Sequence, residues 1–316
     1  MKQNRYYSVY LHIVLGIFFS VLITGCTQES IQQVKEYPIL FSAAAGTRAP
    51  INSISDLAQN GDKVGIYGVI TGNPSAADAL TYEWDRPLLM NNIQTVSIDK
   101  QGFVTLPDTY NYPTDEKEHV KFMAYFPYSK TAIPPYVPLS ATGQNEILWA
   151  DPVTGNRLTP FIGLNFNHLL TQLRFAVADA GGAVLGLSIR DLLFTGTNTR
   201  SILNVETGEF GEWTHPVDTV SINLPEPVAI TGTPGAVQLI GEPVLLQPEL
   251  ESFTVSIHSS LHTFSNINIT PSHPDTRFEA GRSYLITITF YKEASLHVKA
   301  TVIPWQNAGT GDSNIH

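Results

Sequence analysis

Apolar and polar residues alternate along several segments of this chain, and this period of two is typical of β-strands and not of helices. In the segment 120–126 every second residue is apolar, and Pro127 follows directly. The same alternation recurs later in the chain, at residues 253–258, 284–291 and 296–302. Because neighbouring side chains on a strand point to opposite faces of the sheet, each segment predicts a strand with one buried face.

Turn signals separate these segments and predict antiparallel pairing. The chain contains 21 Pro and 23 Gly, and only 15% of its residues are charged. Asp99–Gly102 lies between two strand-like segments and predicts a hairpin turn with glycine at its end. Helical signals are confined to one or two turns at residues 54–59 and 169–172. The sequence therefore predicts an all-β fold of antiparallel β-sandwiches.

The length of the chain favours two such sandwiches. Of the 316 residues, about 290 remain once an export signal is removed, which is too many for one small sandwich. The strand pattern restarts at Leu164 after a stretch that is rich in proline. We expect an N-terminal domain at residues 37–163 and a C-terminal domain at residues 164–316, with the boundary set to within roughly ten residues.

The beginning of the chain has the features of an exported lipoprotein. Two basic residues precede an apolar run at residues 9–23, and the run leads into the sequence Leu-Ile-Thr-Gly-Cys, which ends at Cys26. The run is too short to span a bilayer comfortably, and small residues follow it, as in a cleaved signal peptide. We expect residues 1–25 to be removed and residues 26–36 to form a polar tether.

Cys26 is the only cysteine of the chain, so it cannot form an intramolecular disulfide and is available for acylation. Two or three acyl chains would hold the protein on a membrane without a spanning helix. The alternative is a lone buried thiol behind an ordinary signal peptide. Residue 27 is threonine, not the aspartate that favours retention in the inner membrane, so we expect a lipid-anchored protein of the cell outer membrane or surface.

The charge of the chain disfavours nucleic acid as a partner. Without Lys2 and Arg5, which belong to the signal, the 18 basic residues fall to 16 against 28 acidic ones, a formal charge of −12. A protein of this charge repels a polyanion. The membrane, reached through lipid on Cys26, and other proteins or surface ligands are the expected partners.

No arrangement of residues indicates catalysis. The chain has no Gly-x-Ser-x-Gly, His-Glu-x-x-His, Gly-x-x-x-x-Gly-Lys or Cys-x-x-Cys motif. His258 and His262 are spaced to share one face of an element, but no third ligand follows, and two solvent-facing histidines are the simpler interpretation. We therefore predict that the protein is not an enzyme and that it has no catalytic residue, no metal site and no cofactor.

Seven segments together carry a resemblance that covers nearly the whole chain. They are the lipobox at Cys26 and residues 39–49, 60–67, 120–128, 164–170, 278–288 and 302–305. Among them are the sequences Asn-Gly-Asp-Lys-Val-Gly-Ile-Tyr, Phe-Glu-Ala-Gly-Arg-Ser-Tyr and Val-Ile-Pro-Trp. In this order they resemble the fimbrillin family, the lipoprotein subunits of type V pili and their relatives on Gram-negative anaerobes.

The resemblance implies two transthyretin-like, Greek-key β-sandwich domains and assembly by strand exchange. In such proteins a protease cuts after an arginine and releases the first strand with its lipid, and an extended segment of a neighbouring subunit fills the open groove. In this chain the resemblance points to a cut between Arg48 and Ala49 and to Ile39 and Phe41 as the apolar plugs of the displaced strand. An ordinary loop arginine that is never cut is the alternative for Arg48.

A sandwich that lacks a strand explains physically why such an exchange is favourable. It exposes unpaired backbone groups and an apolar trough, so an incoming strand gains hydrogen bonds and burial together. Three buried side chains would recover on the order of 5 kcal/mol or more. The tail at residues 306–316 is polar, so the expected donor is the segment 296–305.

Two functions of different classes follow. The first is a structural component of a surface fimbria, as shaft, tip or anchor subunit, that supports adhesion to a host or bacterial surface ligand. The second is a monomeric surface lipoprotein that binds glycans, with the Tyr-rich and Pro-rich stretch 110–136 as its expected site.

Overall fold

The computed structural model describes residues 35–45, 63–71, 84, 88–181, 186–215, 220–230, 233, 235–291 and 296–303. Within these ranges the protein consists of β-strands and connecting turns, with no helix, which confirms the all-β prediction. The helical turn expected at residues 169–172 is wrong, because Thr171 and Gln172 begin a strand. The turn expected at residues 54–59 lies outside the described residues.

Nine strands lie in the described residues of the first half of the chain. They are β1 Leu40–Ala45, β2 Gly65–Thr71, β3 Met90–Gln94, β4 Ser97–Ile98, β5 Phe103–Thr105, β6 His119–Phe126, β7 Tyr136–Ser140, β8 Leu148–Gly155 and β9 Phe161–His168. Eight of them form one sheet in the order β3-β2-β6-β8-β9-β1-β5-β4, and β7 belongs to another sheet. The sheet surrounds a core of apolar side chains that includes Ile66, Val120, Phe122, Ile162 and Phe166.

The predicted hairpin at Asp99–Gly102 is confirmed. Strands β4 and β5 pair antiparallel on either side of it. The Asp99 side chain closes the turn, because its Oδ1 accepts hydrogen bonds from the backbone N–H groups of Gln101, at 2.9 Å, and Phe103, at 2.8 Å. Aspartate commonly stabilises turns in this way, by bonding backbone N–H groups that follow it in the chain.

The second half of the chain contains the other strands. They are β10 Thr171–Asp179, β11 Ser188–Thr195, β12 Arg200–Asn204, β13 Glu209–Phe210, β14 Val220–Ala229, β15 Val237–Leu246, β16 Phe253–Ser259, β17 Thr263–Ile269, β18 Ser283–Phe290 and β19 Leu296–Ile303. Two four-stranded sheets, β15-β10-β18-β19 and β14-β11-β16-β17, share one apolar core. The alternation predicted for residues 253–258 and 284–291 is seen in β16 and β18, where every second residue is buried.

A three-stranded sheet joins the two halves. It has the order β13-β12-β7, so a hairpin from the second half pairs with a strand from the first. Its inner face covers a separate core to which β2, β6, β7 and β12 all contribute, including Tyr67, Tyr125, Val137 and Leu203. The indole N–H of Trp149 donates to the carbonyl of Val205 at 2.8 Å across this junction.

The position of the domain boundary can be compared with this architecture. Residue 163 falls inside β9, the first sheet runs to His168, and β10 of the second half begins at Thr171. Residues Tyr37–His316 form one compact unit in which the halves share the three-stranded sheet. The division into two domains therefore stays a prediction. In the described part of the chain, no helix is long and apolar enough to cross a membrane.

Candidate functional site

The candidate site is the place that β1 occupies inside the first sheet. β1 pairs in parallel with β9 over six residues, from Leu40 opposite Phe161 to Ala45 opposite Phe166. On its other side it pairs antiparallel with β5. Among the described strands the β4–β5 hairpin has no other neighbour in this sheet, so β1 alone connects the hairpin to β9. Any loss of β1 therefore leaves two unpaired strand edges.

We call residues 37–45, which comprise β1 and the three residues before it, the leading segment. Its inner face is apolar and deeply buried. Ile39, Phe41 and Ala43 alternate along it, and each is at most 5% exposed. The ring of Phe41 packs edge-on against Phe122 of β6, with 5.0 Å between the ring centres. At roughly 1.5 to 3 kcal/mol for each large buried side chain, Ile39 and Phe41 contribute several kcal/mol to the stability of the sheet.

Backbone hydrogen bonds hold the segment along its whole length. The Ile39 N–H donates to the carbonyl of Tyr110 at 2.8 Å, and the Leu40 N–H donates to the carbonyl of Pro160 at 3.0 Å. Further along, the Ala43 N–H donates to the carbonyl of Gly102 at 2.7 Å. A strand that replaced β1 in the same direction would meet these same acceptors.

Gly102 makes the close approach of the turn to β1 possible. Its φ of +89° is in the region that side chains rarely adopt. A Cβ atom at this position would lie 2.4 Å from the carbonyl oxygen of Ala43. Glycine is therefore required here both by the turn and by the neighbouring strand.

The outer face of the sheet is also apolar around β1. Phe161 of β9 is 65% exposed and Phe103 of β5 is 56% exposed, and they flank Leu40 and Ser42 of β1 respectively. Leu40 itself is exposed. Exposed aromatic side chains therefore border the groove that β1 fills, and the buried ring of Phe122 lines it.

The tyrosines near the groove are neutral in the folded protein. Burial raises the pKa of Tyr112, whose ring packs edge-on against Phe122 at 6.1 Å. Burial and, to a smaller extent, the charge of Asp108 raise the pKa of Tyr110. Neither Tyr110 nor Tyr112 therefore places a charge beside β1 at neutral pH.

The segment expected to act as a donor is an edge strand. β19 pairs antiparallel with β18 over its whole length and lies at the end of its sheet. Leu296 and Val298 are half-buried and Ala300 is buried, while His297, Lys299 and Val302 are exposed. β19 is thus held on one side, whereas β1 is held on both.

The predicted site residues divide into two groups. Ile39 and Phe41 lie together on the buried face of the leading segment. Cys26, Arg48 and Ala49 lie outside the described residues, and their lipidation and processing stay predictions.

The histidine pair does not form a metal centre. His258 Nδ1 lies 2.6 Å from Oδ1 of Asp191 on the neighbouring strand, while His262 follows in the turn after β16. No group of three or more His, Cys, Asp or Glu side chains within the described ranges is arranged to hold a metal ion.

Most tyrosines of the stretch expected to bind glycans are buried or half-buried. Tyr112 and Tyr125 are buried, Tyr110 and Tyr128 are half-buried, and Tyr136 is exposed. Sugar-binding platforms require exposed aromatic faces. Of the tyrosines in this stretch, Tyr136 alone offers such a face.

Comparison with known proteins identifies the family of this chain. The sequence profile of the fimbrillin-like family matches residues 47–305, which is most of the chain. The chain belongs to the fimbrillin-like family. A search of the curated proteins finds no match.

Solved structures of similar fold come from species of Bacteroides. A candidate cell adhesion protein from Bacteroides uniformis has 20% identity and a TM-score of 0.58, with 86% of this chain and 100% of that chain covered. A second, from Bacteroides ovatus, has 17% identity and a TM-score of 0.59, with 86% and 99% covered. A fimbrial protein from Bacteroides vulgatus has 12% identity and a TM-score of 0.55, with 85% and 99% covered. Because each identity is below 25%, these structural similarities establish a shared fold and no more.

Some features of the site have no local signal in the sequence. The parallel pairing of β1 with β9 joins segments about 120 residues apart, and alternation within either segment does not name the partner. Gly102 was identifiable as a turn glycine, but its contact with Ala43 was not. A chain this rich in Gly offers many such positions, and the close approach of a neighbouring strand selects one of them.

Proposed function

We propose that this protein is a subunit of a surface fimbria that supports adhesion, and that it is assembled by exchange of β1 for a strand of a neighbouring subunit. The observation that carries this proposal is the position of β1 between β9 and β5. It is an internal strand that lies near one end of the chain, so one cut next to it would free it without severing the rest of the fold. Its removal would expose two edges and an apolar trough that another strand can fill.

The proposed cut lies between Arg48 and Ala49. β1 ends at Ala45, three residues before Arg48, so a cut there would separate the whole strand from the remainder of the chain. The released piece would carry the leading segment and, in the lipidated protein, the acyl chains on Cys26. Cleavage would thus free the subunit from the membrane and open its groove in one step.

The sequence of β19 supports it as the donor strand. Its inward-facing side chains are Leu296, Val298 and Ala300, in the order large, large and alanine. The leading segment has the same order at the same spacing, with Ile39, Phe41 and Ala43. A copy of β19 that ran in the direction of β1 would therefore place an alanine where β1 has one, opposite Gly102. Head-to-tail contacts of this kind generate filaments, because they do not close on themselves.

The proposed location follows from the leader and the family. We propose that Cys26 is acylated after removal of residues 1–25, and that the protein is exported to the outer membrane before assembly. Mass measurement of the membrane-bound protein tests the lipid. A Cys26→Ser variant is expected to lose the acyl mass and to leave the membrane fraction. An intact lipidated mass in that variant would contradict the assignment.

Cleavage of the purified protein tests the exchange. Treatment with an arginine-specific protease is expected to produce a chain that begins at Ala49 and to give filaments in electron micrographs. The matched control is Arg48→Lys, which keeps the charge but removes the cleavage site, and it is expected to remain monomeric. A cleaved protein that begins at Ala49 and remains monomeric would overturn the proposal.

A further inference from the structure

A polar cluster holds Tyr37, three residues before β1. Arg157, in the turn between β8 and β9, donates from Nη1 to the hydroxyl of Tyr37 at 2.8 Å. The carbon of its guanidinium group lies 5.1 Å from the centre of the Tyr37 ring. From Nη2 it donates to Oε2 of Glu116, also at 2.8 Å. Arg157 therefore contacts the leading segment and is itself fixed by a carboxylate.

The turn that carries Arg157 is fixed by hydrogen bonds. The Asn156 side chain is buried, and its Oδ1 accepts from the backbone N–H groups of Leu158, at 3.0 Å, and Thr159, at 3.2 Å. Its Nδ2 donates to the carbonyl of Glu116 at 3.2 Å, which ties the turn to the loop that supplies the carboxylate. The turn that carries Arg157 is thus fixed by contacts that do not involve the leading segment.

The two ends of the leading segment differ in what holds them. At the upstream end Tyr37 contacts Arg157, and its carbonyl accepts from the Tyr112 N–H at 2.8 Å. Toward the proposed cut, Ala43 and Ala44 are small, so their side chains have little apolar area to bury. Side-chain contacts therefore hold the upstream end more strongly than the alanine end.

We propose that Arg157, positioned by Glu116, is a latch on Tyr37 that makes the leading strand open from its Ala43 end. This inference rests on the proposed strand exchange and specifies its direction. After the cut, the strand peels away from Ala45 toward Tyr37, and the latch is the last contact to break. An incoming strand then pairs first with Leu164–Phe166 of β9, next to the freed alanines.

The latch also distinguishes the chain's own strand from a donor. When β19 is aligned on the leading segment with Leu296 at the place of Ile39, the residue that corresponds to Tyr37 is Ala294. Alanine has neither a hydroxyl to accept from Arg157 nor a ring to lie beside the guanidinium. Arg157 thus retains the original strand until cleavage and adds nothing to the binding of its replacement.

Hydrogen exchange of the uncut full chain tests the latch without any assembly step. In the wild type the Ala43 amide is expected to exchange faster than the Ile39 amide, because opening begins at the alanine end. In Arg157→Gln the Ile39 and Leu40 amides are expected to exchange about three- to tenfold faster, since a charge-assisted contact is lost. Tyr37→Phe keeps the ring and is expected to give a smaller increase.

The control variant is Arg277→Gln, which removes an exposed arginine that pairs with Glu251 at 3.3 Å in the second half of the chain. It is expected to leave Ile39 exchange unchanged. Exchange of Ile39 in Arg157→Gln at the wild-type rate, or equal acceleration in Arg277→Gln, would overturn the latch.

A second measurement separates this inference from the proposed function. After arginine-specific cleavage at Arg48, release of the upstream fragment is expected to be about three- to tenfold faster in Arg157→Gln than in the wild type. If the cleaved wild type polymerises but release is equally fast in both proteins, the latch is wrong and strand exchange stands. If Ile39 exchange rises in uncut Arg157→Gln while no cleaved protein takes up a new strand, the latch stands and strand exchange is wrong.

Discussion

β1 and β19 are strands of similar length and similar apolar pattern, but their sheets hold them differently. β1 lies between β9 and β5, whereas β19 pairs with β18 alone at the end of its sheet. Removal of β19 would shorten a sheet, while removal of β1 would divide one. Refilling the place of an internal strand therefore gives the stronger driving force for exchange, because the empty place exposes two strand edges and a buried face together.

The largest expected effect comes from truncation of one inward-facing side chain in each strand. Phe41→Ala is expected to lower the free energy of unfolding by about 3 to 5 kcal/mol, because it opens a cavity against Phe122. Val298→Ala on the half-buried face of β19 is expected to cost about 1 kcal/mol. Denaturant unfolding of both variants measures the difference. Equal losses would show that the two strands contribute alike.

The turn glycine beside β1 gives the next largest effect. Gly102→Ala is expected to cost about 2 to 3 kcal/mol, because it combines a strained φ with a clash against the carbonyl of Ala43. The matched control is Gly196→Ala, which has a φ of +77° and open space around it. Strain alone is expected to cost about 1 to 2 kcal/mol there. If Gly102→Ala is no less stable than Gly196→Ala, the close contact with Ala43 adds no energetic cost.

Alkaline unfolding compares a tyrosine from each half of the chain and is expected to give the smallest effect. Burial raises the pKa of Tyr125 to about 12, and its hydroxyl donates to Oδ1 of Asn92 at 2.7 Å. Burial likewise raises the pKa of Tyr284, which lies in β18 beside β19, to about 12. The unfolded chain loses these protons near pH 10, so the stability they confer is present below pH 10 and is lost as pH rises toward 12.

Phenylalanine variants separate these two contributions. Tyr125→Phe and Tyr284→Phe are each expected to make the free energy of unfolding fall less steeply between pH 10 and pH 12. Because the two hydroxyls have similar pKa values, the two variants are expected to change the slope to a similar extent. Urea titrations at several pH values in this range provide the measurement, and an unchanged slope in either variant would contradict the assigned pKa.

Local patterns predicted the strands and the turn whose determinants are close together in the sequence. The segment 120–126 forms most of β6, although both faces of this strand are buried from Phe122 to Phe126, and Asp99–Gly102 forms the expected hairpin turn. The three-stranded sheet was not predictable in this way, because β7 and β12 lie about 60 residues apart and the sequence of neither strand identifies its partner. The contact of Arg157 with Tyr37 also joins distant segments, and an isolated arginine in a turn gives no sign of it.

Disulfide trapping between copies tests directly whether β19 of one copy takes the place of β1 in another. In the proposed register, His297 of a donor strand takes the place of Leu40 and lies opposite Phe161 of β9. In a Cys26→Ser background, a copy with Phe161→Cys and a copy with His297→Cys are mixed and cleaved at Arg48. The pairing of Phe161→Cys with Val302→Cys, five residues further along the donor, serves as the control.

We expect an intermolecular disulfide between the cysteines at positions 161 and 297 after cleavage. We expect no such disulfide in the uncut proteins or in the control pair. Adjacent strands bring such residues within the distance that a disulfide spans. Filaments that form without this disulfide, or a disulfide that forms equally before cleavage, would contradict replacement of β1 by β19 of a neighbouring copy.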